Sequence, residues 1–187
     1  MNQRALIREC GSLLEDFLSE RAEALEKSVH ACVHALRAGK KIVLFGNGGS
    51  AAEAQHFAAE MVNKFYLHRP PIRALALTTD TSILTSIGND VKFDAVFSRQ
   101  IEALADAGDA ALALSTSGRS PNVLRALRAA KKKKMVTIGL TGKGGGAMAG
   151  LCDILLDVPS ANTPRIQEIH LVALHILAEE IEKRLKQ

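Results

Sequence analysis

Five short segments of this chain are apolar throughout rather than in alternation, and most run into a glycine- or hydroxyl-rich turn followed by helical periodicity. The clearest is Lys41-Ile-Val-Leu-Phe45, which runs into Gly46-Asn47-Gly48-Gly49; residues 73–78, 110–115, 135–141 and 153–158 follow suit. A strand that is apolar on both faces is covered on both faces, the condition of a parallel sheet between two helical layers. Helical segments are expected at 50–66, at 80–103 (one or two helices), at 120–133, briefly around 145–150, and from about 163 to 186. Ahead of the first strand, Leu6, Leu13, Leu14, Phe17 and Leu18 recur at helical spacing, and so do Ala22, Leu25, Val29, Cys32, Val33 and Leu36. They read as two helices, the second stopped at Ala38-Gly39. The pattern predicts a doubly wound α/β fold with about five parallel strands and N-terminal helices. At 187 residues, with no linker or repeat, the chain is read as one domain: a helical segment over 1–38 and an α/β sandwich over 39–187.

Composition narrows the function. The chain is 47% hydrophobic with balanced charge, which excludes a disordered protein. No run approaches the ~18–20 apolar residues of a membrane span, and the polar start Met1-Asn2-Gln3-Arg4 is not that of a secretory signal. Cys10, Cys32 and Cys152 are odd in number and form no CxxC pair, which points to a reducing, cytoplasmic setting rather than a disulfide framework. The net charge of +4 invites a nucleic-acid reading, but Lys131 to Lys134 account for it and leave the rest neutral. With six Phe, one Tyr and no Trp there is little to stack bases on, so neither nucleic acid nor membrane is expected as a partner.

In doubly wound folds ligands bind beyond the carboxyl ends of the strands. After the first strand come Asn47, Gly48, Gly49 and Ser50, where glycines let the backbone approach a ligand and a helix N-terminus favours anions. After the third come Ser115, Thr116, Ser117, Gly118, Arg119 and Ser120, a hydroxyl-rich helix start able to cradle a phosphate without a cation. Either loop alone is explained by a tight turn and a helix cap; together at strand ends they point to a phosphorylated small molecule. A dinucleotide site is disfavoured. Gly46-x-Gly48-x-x-Ala51 lacks the acid about 20 residues on that would hold a ribose, since no Asp or Glu lies between Glu60 and Asp80.

His56 and Glu60 are four apart on the helix after the glycine loop, hence on one face. The last helix carries Gln167, His170 and His175. A lone helical histidine is usually a surface or core residue, but this combination offers ligands for a divalent metal such as zinc, with Glu60 a possible general base.

Gly46-Asn-Gly-Gly-Ser50, His56-Phe-Ala-Ala-Glu60, Gly88-Asn-Asp90, Ser115-Thr-Ser-Gly118, Leu140-Thr-Gly-Lys143 and Arg165-Ile-Gln-Glu-Ile-His170 together resemble the sugar isomerase (SIS) domain family, in the family's order and over essentially the whole chain. Within it the likeness is to the branch acting on phosphorylated heptoses. The resemblance implies a flavodoxin-like sheet and a cytoplasmic homotetramer. It also implies the conversion of sedoheptulose 7-phosphate to D-glycero-D-manno-heptose 7-phosphate, the first step toward nucleotide-activated heptose for surface polysaccharide. It further implies His56, Glu60, Gln167 and His175 as zinc ligands, with Glu60 and His175 catalytic. Asn47, Gly48, Gly49, Ser50, Asn89 and Asp90 correspond to substrate contacts, and Ser115, Thr116, Ser117 and Ser120 to the phosphate site. Pro164 stands where some relatives carry an acid, so no role of an acid there transfers to this chain.

Two other readings remain open: a non-catalytic SIS protein that binds a replication initiator, and an isomerase of another sugar phosphate. Such non-catalytic relatives lack the catalytic Glu and the second His, both present here. One geometric constraint follows from spacing. Gln167 and His175 are eight residues apart, about 12 Å along a helix axis. Both reach one metal only if the helix start is irregular near Pro164 or the ligands come from different subunits, which would make the site interfacial.

Overall fold

The computed structural model describes residues 3–186; Met1 and Asn2 of the polar start lie outside them. Helix α1 (Gln3–Arg37) precedes β1 (Ile42–Gly46), α2 (Gly49–Val62) and β2 (Ala74–Ala76). Then come α3 (Thr81–Asp90), a 3-10 turn at Phe93–Ala95, α4 (Val96–Leu104), β3 (Ala110–Ser115) and α5 (Pro121–Lys132). β4 (Val136–Thr141), a second 3-10 turn at Gly146–Met148, β5 (Ile154–Asp157) and α6 (Thr163–Lys186) complete the chain.

The five strands form one sheet in the order β2-β1-β3-β4-β5, and every pairing is parallel. Alternate residues of the apolar strands feed two separate cores. Ile42 and Leu44 of β1, with Leu112 and Leu114 of β3, pack under α1, α2 and α6. Val43 and Phe45, with Ala111 and Ala113, pack under α4 and α5. Runs that are apolar at every position are therefore a consequence of helices on both faces.

Three expectations need correction. The N-terminal segment is one continuous 35-residue helix, not two. Gly11 sits on it where a Cβ would meet nothing, so the residue most apt to break the helix costs only its propensity there. Helix α2 ends at Val62, four residues short of the expected 66, because the chain beyond it is captured by Arg69 and Glu182 as described below. The short helix near 145–150 is a 3-10 turn opened by left-handed Gly144 and Gly145. All three cysteines are free, and burial pushes the thiols of Cys32 and Cys152 up to about 12, which leaves them protonated.

The sheet order puts a switch point between β1 and β3. From β1 the chain turns into α2 on one face, toward β2; from β3 it turns into α5 on the other face, toward β4. The two connecting loops diverge and leave a crevice between them.

Candidate active site

The crevice is a cavity of about 170 Å³ lined by Asn47, Ser50, Ser115, Thr116, Ser120, Thr163 and Gln167, with Leu114 at its base. Helix α2 starts at Gly48 with no side-chain cap, whereas α5 opens on Pro121, which carries no N–H, and its Val123 N–H donates to the Asn122 side chain at 2.9 Å. Backbone N–H groups at an uncapped helix start are left for a ligand. The Ser115 and Ser120 hydroxyls lie 3.0 Å apart across the loop, and the Arg119 amide donates to the Ser117 hydroxyl at 3.2 Å. Gly118 makes this loop possible. Its φ is +61°, and a Cβ there would collide with the Gly145 carbonyl.

The two loops are tied together by a residue the sequence reading passed over. Asn122, in the first turn of α5 and 2% exposed, exchanges two amide hydrogen bonds with Asn47 at 2.8 and 3.0 Å. Asparagine directly after a Ser-Pro helix start was the available signal.

Further along the same two helices, α2 and α6 bring three of the four expected metal ligands together. His56 Nε2 lies 2.9 Å from His175 Nε2, and 3.5 Å from Glu60 Oε1. His56 and Glu60 share a face of α2 because they are one turn apart. The His175 ring also packs against Phe65, with centroids 5.5 Å apart. The three form a chain of contacts, and among the described residues no group of three His, Cys, Asp or Glu side chains converges on one point. As a donor set, two imidazole nitrogens and a carboxylate open to solvent on one side suit a divalent metal such as zinc.

Gln167 is not with them. Its carboxamide lies against Gly49, where an added Cβ would displace it, and it lines the cavity. Helix α6 runs unbroken from Thr163, with Pro164 in its first turn where proline is tolerated, so an irregular start does not bridge the eight-residue gap to His175. Asn89 and Asp90 are also apart from the cavity. They end α3, a helix with no buried residue, and the Asn89 amide donates to Asp90 at 2.7 Å.

What holds Glu60 and Phe65 in place is a second feature the sequence reading missed. Glu182 of α6, 1% exposed, accepts from the backbone N–H groups of Phe65, Tyr66 and Leu67 at 2.8 to 3.0 Å, and from Arg69 Nε at 2.8 Å. Arg69 in turn donates to the carbonyls of Glu60 and Met61, both at 2.8 Å, satisfying the orphan end of α2. Burial alone would push the Glu182 carboxyl up; the three backbone donors and the guanidinium outweigh it and hold the group below the usual carboxylate range.

One turn behind the cavity lies a different pairing. His170 is fully buried and its Nε2 lies 3.1 Å from the Thr141 carbonyl; its Nδ1 faces Glu53 Oε2 at 3.9 Å. Neither of the facing atoms has a hydrogen-bond partner, nor does the Thr141 hydroxyl.

The SIS domain model matches residues 6–142. A phosphoheptose isomerase from Desulfovibrio desulfuricans is 54% identical over 172 residues, covering 92% of this chain and 82% of that protein. Solved structures of a phosphoheptose isomerase from Neisseria gonorrhoeae (TM-score 0.91, 42% identity, 96% of each chain) and of another from Francisella tularensis (TM-score 0.88, 36% identity, 98% of this chain and all of that one) share the fold.

Proposed function

The chain belongs to the SIS domain family, and with that as premise we propose that it is an aldose–ketose isomerase converting sedoheptulose 7-phosphate to D-glycero-D-manno-heptose 7-phosphate, the first step toward nucleotide-activated heptose. One observation carries the reading. A hydroxyl-lined cavity that opens onto the uncapped start of α2 shares α2 and α6 with the His175–His56–Glu60 chain.

The phosphate is the handle. Ser115, Thr116 and Ser120 offer hydroxyls in the cavity, Ser117 opens onto the adjoining pocket with Thr116 and Arg119, and the uncapped start of α2 offers N–H groups, so neutral donors hold the anion. Asn47, Gly48, Gly49, Ser50 and Gln167 line the way toward the sugar carbons. Glu60 takes the C1 proton, and the electrons of that C–H bond form the C1=C2 bond of an enediol as the C2 carbonyl oxygen gains a proton. His175 then returns a proton to C2 while the C1 hydroxyl loses its own, leaving the aldehyde. A carboxylate and an imidazole suit these two tasks near neutral pH. A divalent metal held by His56, Glu60 and His175 would act as a Lewis acid on the sugar oxygens.

Features of the single chain favour an active site completed by other copies in a cytoplasmic homotetramer. Helix α1, about 52 Å long, leaves Leu6 and Ile7 exposed at its outer end, and α3, which carries Asn89 and Asp90, packs only half-buried Leu84 and Ile87 against the core. Gln167 sits with the glycine loop of its own chain, which suits a ligand set shared between subunits. The free cysteines agree with a reducing compartment, and among the described residues no helix is long and apolar enough to cross a membrane.

The test is Glu60→Gln, assayed by NMR with sedoheptulose 7-phosphate and metal-loaded protein. Turnover should fall at least about 10²-fold with KM little changed. A near-normal rate overturns the assignment of Glu60, and no aldoheptose from the wild type overturns the isomerase reading itself.

A further inference from the structure

The buried pair behind the cavity has a protonation pattern that hydrogen-bond chemistry dictates. The Thr141 carbonyl can only accept, so His170 Nε2 carries a hydrogen. In a neutral imidazole Nδ1 is then an acceptor. It faces Glu53 Oε2, which as a carboxylate oxygen is also an acceptor. Two acceptors face each other in the core, both unpartnered, at a distance too long for a hydrogen bond. A single proton resolves the conflict, converting the repulsion into a hydrogen bond once the side chains close by about 1 Å.

The pair's place in the fold gives this a consequence. Ser50, whose hydroxyl bonds Glu53, is one turn nearer the cavity on α2, and Gln167 is one turn nearer it on α6. Thr141, bonded by His170, ends β4 directly beside Ser115 of β3. The pair therefore joins the backs of all three walls of the cavity.

We propose that Glu53 and His170 are positioning residues for the substrate cavity, sharing one proton in a carboxyl-to-Nδ1 hydrogen bond that fixes Ser50, Gln167 and Ser115 relative to one another. This rests on the cavity being the phosphate site. Burial supports the protonation it requires. It pushes the Glu53 carboxyl up to about 7, with the Ser50 hydroxyl opposing, and the His170 imidazole down to about 4, against its bond to Thr141. No ionisable side chain is among the causes of either shift.

The experiment compares KM and kcat for sedoheptulose 7-phosphate in Glu53→Gln, Glu53→Leu and Ser120→Ala proteins, with thermal melts of each. Glu53→Gln, whose amide can donate to Nδ1, should keep KM within about threefold. Glu53→Leu, which leaves Nδ1 unpaired, should raise KM about tenfold with a smaller change in kcat and a cooperative melt. Wild-type KM in Glu53→Leu, or Gln as damaging as Leu, overturns the proposal. Ser120→Ala separates the two readings: if it leaves KM unchanged the cavity assignment fails, whereas if it raises KM and Glu53→Leu does not, the pair alone fails. Should Glu53→Leu not fold, imidazole ¹⁵N NMR of the wild type decides. One histidine, identified by its loss in His170→Gln, should be neutral with its hydrogen on Nε2 and should not titrate between pH 5 and 8. A His170 signal that titrates in that range, or that carries its hydrogen on Nδ1 alone, overturns the proposal.

Discussion

Glu53 and Glu182 are both buried glutamates between α2 and α6, yet they end in opposite states. Glu182 receives three backbone N–H groups and a guanidinium, and its carboxyl is held below the usual range. Glu53 receives one hydroxyl and faces an imidazole acceptor, and burial drives its carboxyl up to about 7. Surface exposure does not separate them, since Glu182 is even less exposed than Glu53. Glu53 is the more deeply desolvated and has fewer donors aimed at its carboxyl, so less replaces the hydration that burial removes. The division also follows position: an ion fixes the irregular segment that carries Phe65 to His175, while the carboxyl with few donors lies behind the hydroxyl-lined cavity.

The largest effect should come from removing the ion. Glu182→Leu leaves the guanidinium of Arg69, 8% exposed, and three N–H groups without their acceptor. Breaking a buried pair in this way costs about 3–5 kcal/mol, a fall in Tm of roughly 10 °C for a chain of this size. The Glu182→Leu/Arg69→Met double variant should recover at least about 1 kcal/mol of it, because the stranded charge goes too. A single variant that melts within 2–3 °C of wild type, roughly the effect of 1 kcal/mol, would break the contrast with Glu53.

The next effect is in pH dependence, and the two members of the neutral pair should act with opposite sign. Glu53 binds its proton more tightly folded than unfolded, so its contribution is full below about 4.5 and is lost as pH rises through about 7. His170 binds its proton less tightly folded, so its contribution is present above about 6.5 and is lost as pH falls through about 4. Between these limits the slopes offset one another. Glu53→Gln should unmask the histidine, giving stability that rises with pH relative to wild type by up to about 1.4 kcal/mol per unit. His170→Gln should give the reverse. Urea unfolding at pH 5, 6 and 7 reads both; parallel pH profiles for the two variants would mean the carboxyl is not protonated in the fold.

Much of this architecture was legible because it repeats. Apolar strands with loops at their carboxyl ends fix five strands and two layers, and His56 with Glu60 needs only the four-residue spacing. Where periodicity is carried by a long amphipathic surface, as in α1, sequence does not say whether a glycine at position 11 breaks it. Gln167 and His175 share a helix, but their different neighbours depend on where α2 and the glycine loop cross α6, a property of packing. The two buried glutamates left a trace that went unread. Glu53 falls on the buried stripe of α2 with Ser50, Phe57 and Met61, and Glu182 on that of α6 with Ala178 and Ile181. A carboxylate on an apolar stripe implies a partner, although the partners, a backbone turn at 65–67 and an imidazole 117 residues away, belong to the tertiary fold.

The smallest effect tests whether donors matter without burial. Glu26 of α1 is bound by both terminal nitrogens of Arg184 at 2.7 and 2.8 Å, joining α1 to α6 as Glu182 joins α6 to the segment that follows α2. Its side chain is half exposed, and its carboxyl is lowered chiefly by the hydrogen bonds from Arg184. On geometry alone it is a well-formed bidentate ion pair. Water already solvates both groups in the unfolded chain and nearly as well in the folded one, so forming the pair replaces little that was lost. Glu26→Gln should therefore leave Tm within the error of a melt, and whatever change appears should vanish at 1 M salt, where the Debye length falls to about 3 Å. If Glu26→Gln instead destabilises as much as Glu182→Leu, and does so at high salt, then that surface is covered in the native assembly. The comparison would then have to be redrawn with α1 and the outer face of α6 as part of a subunit interface.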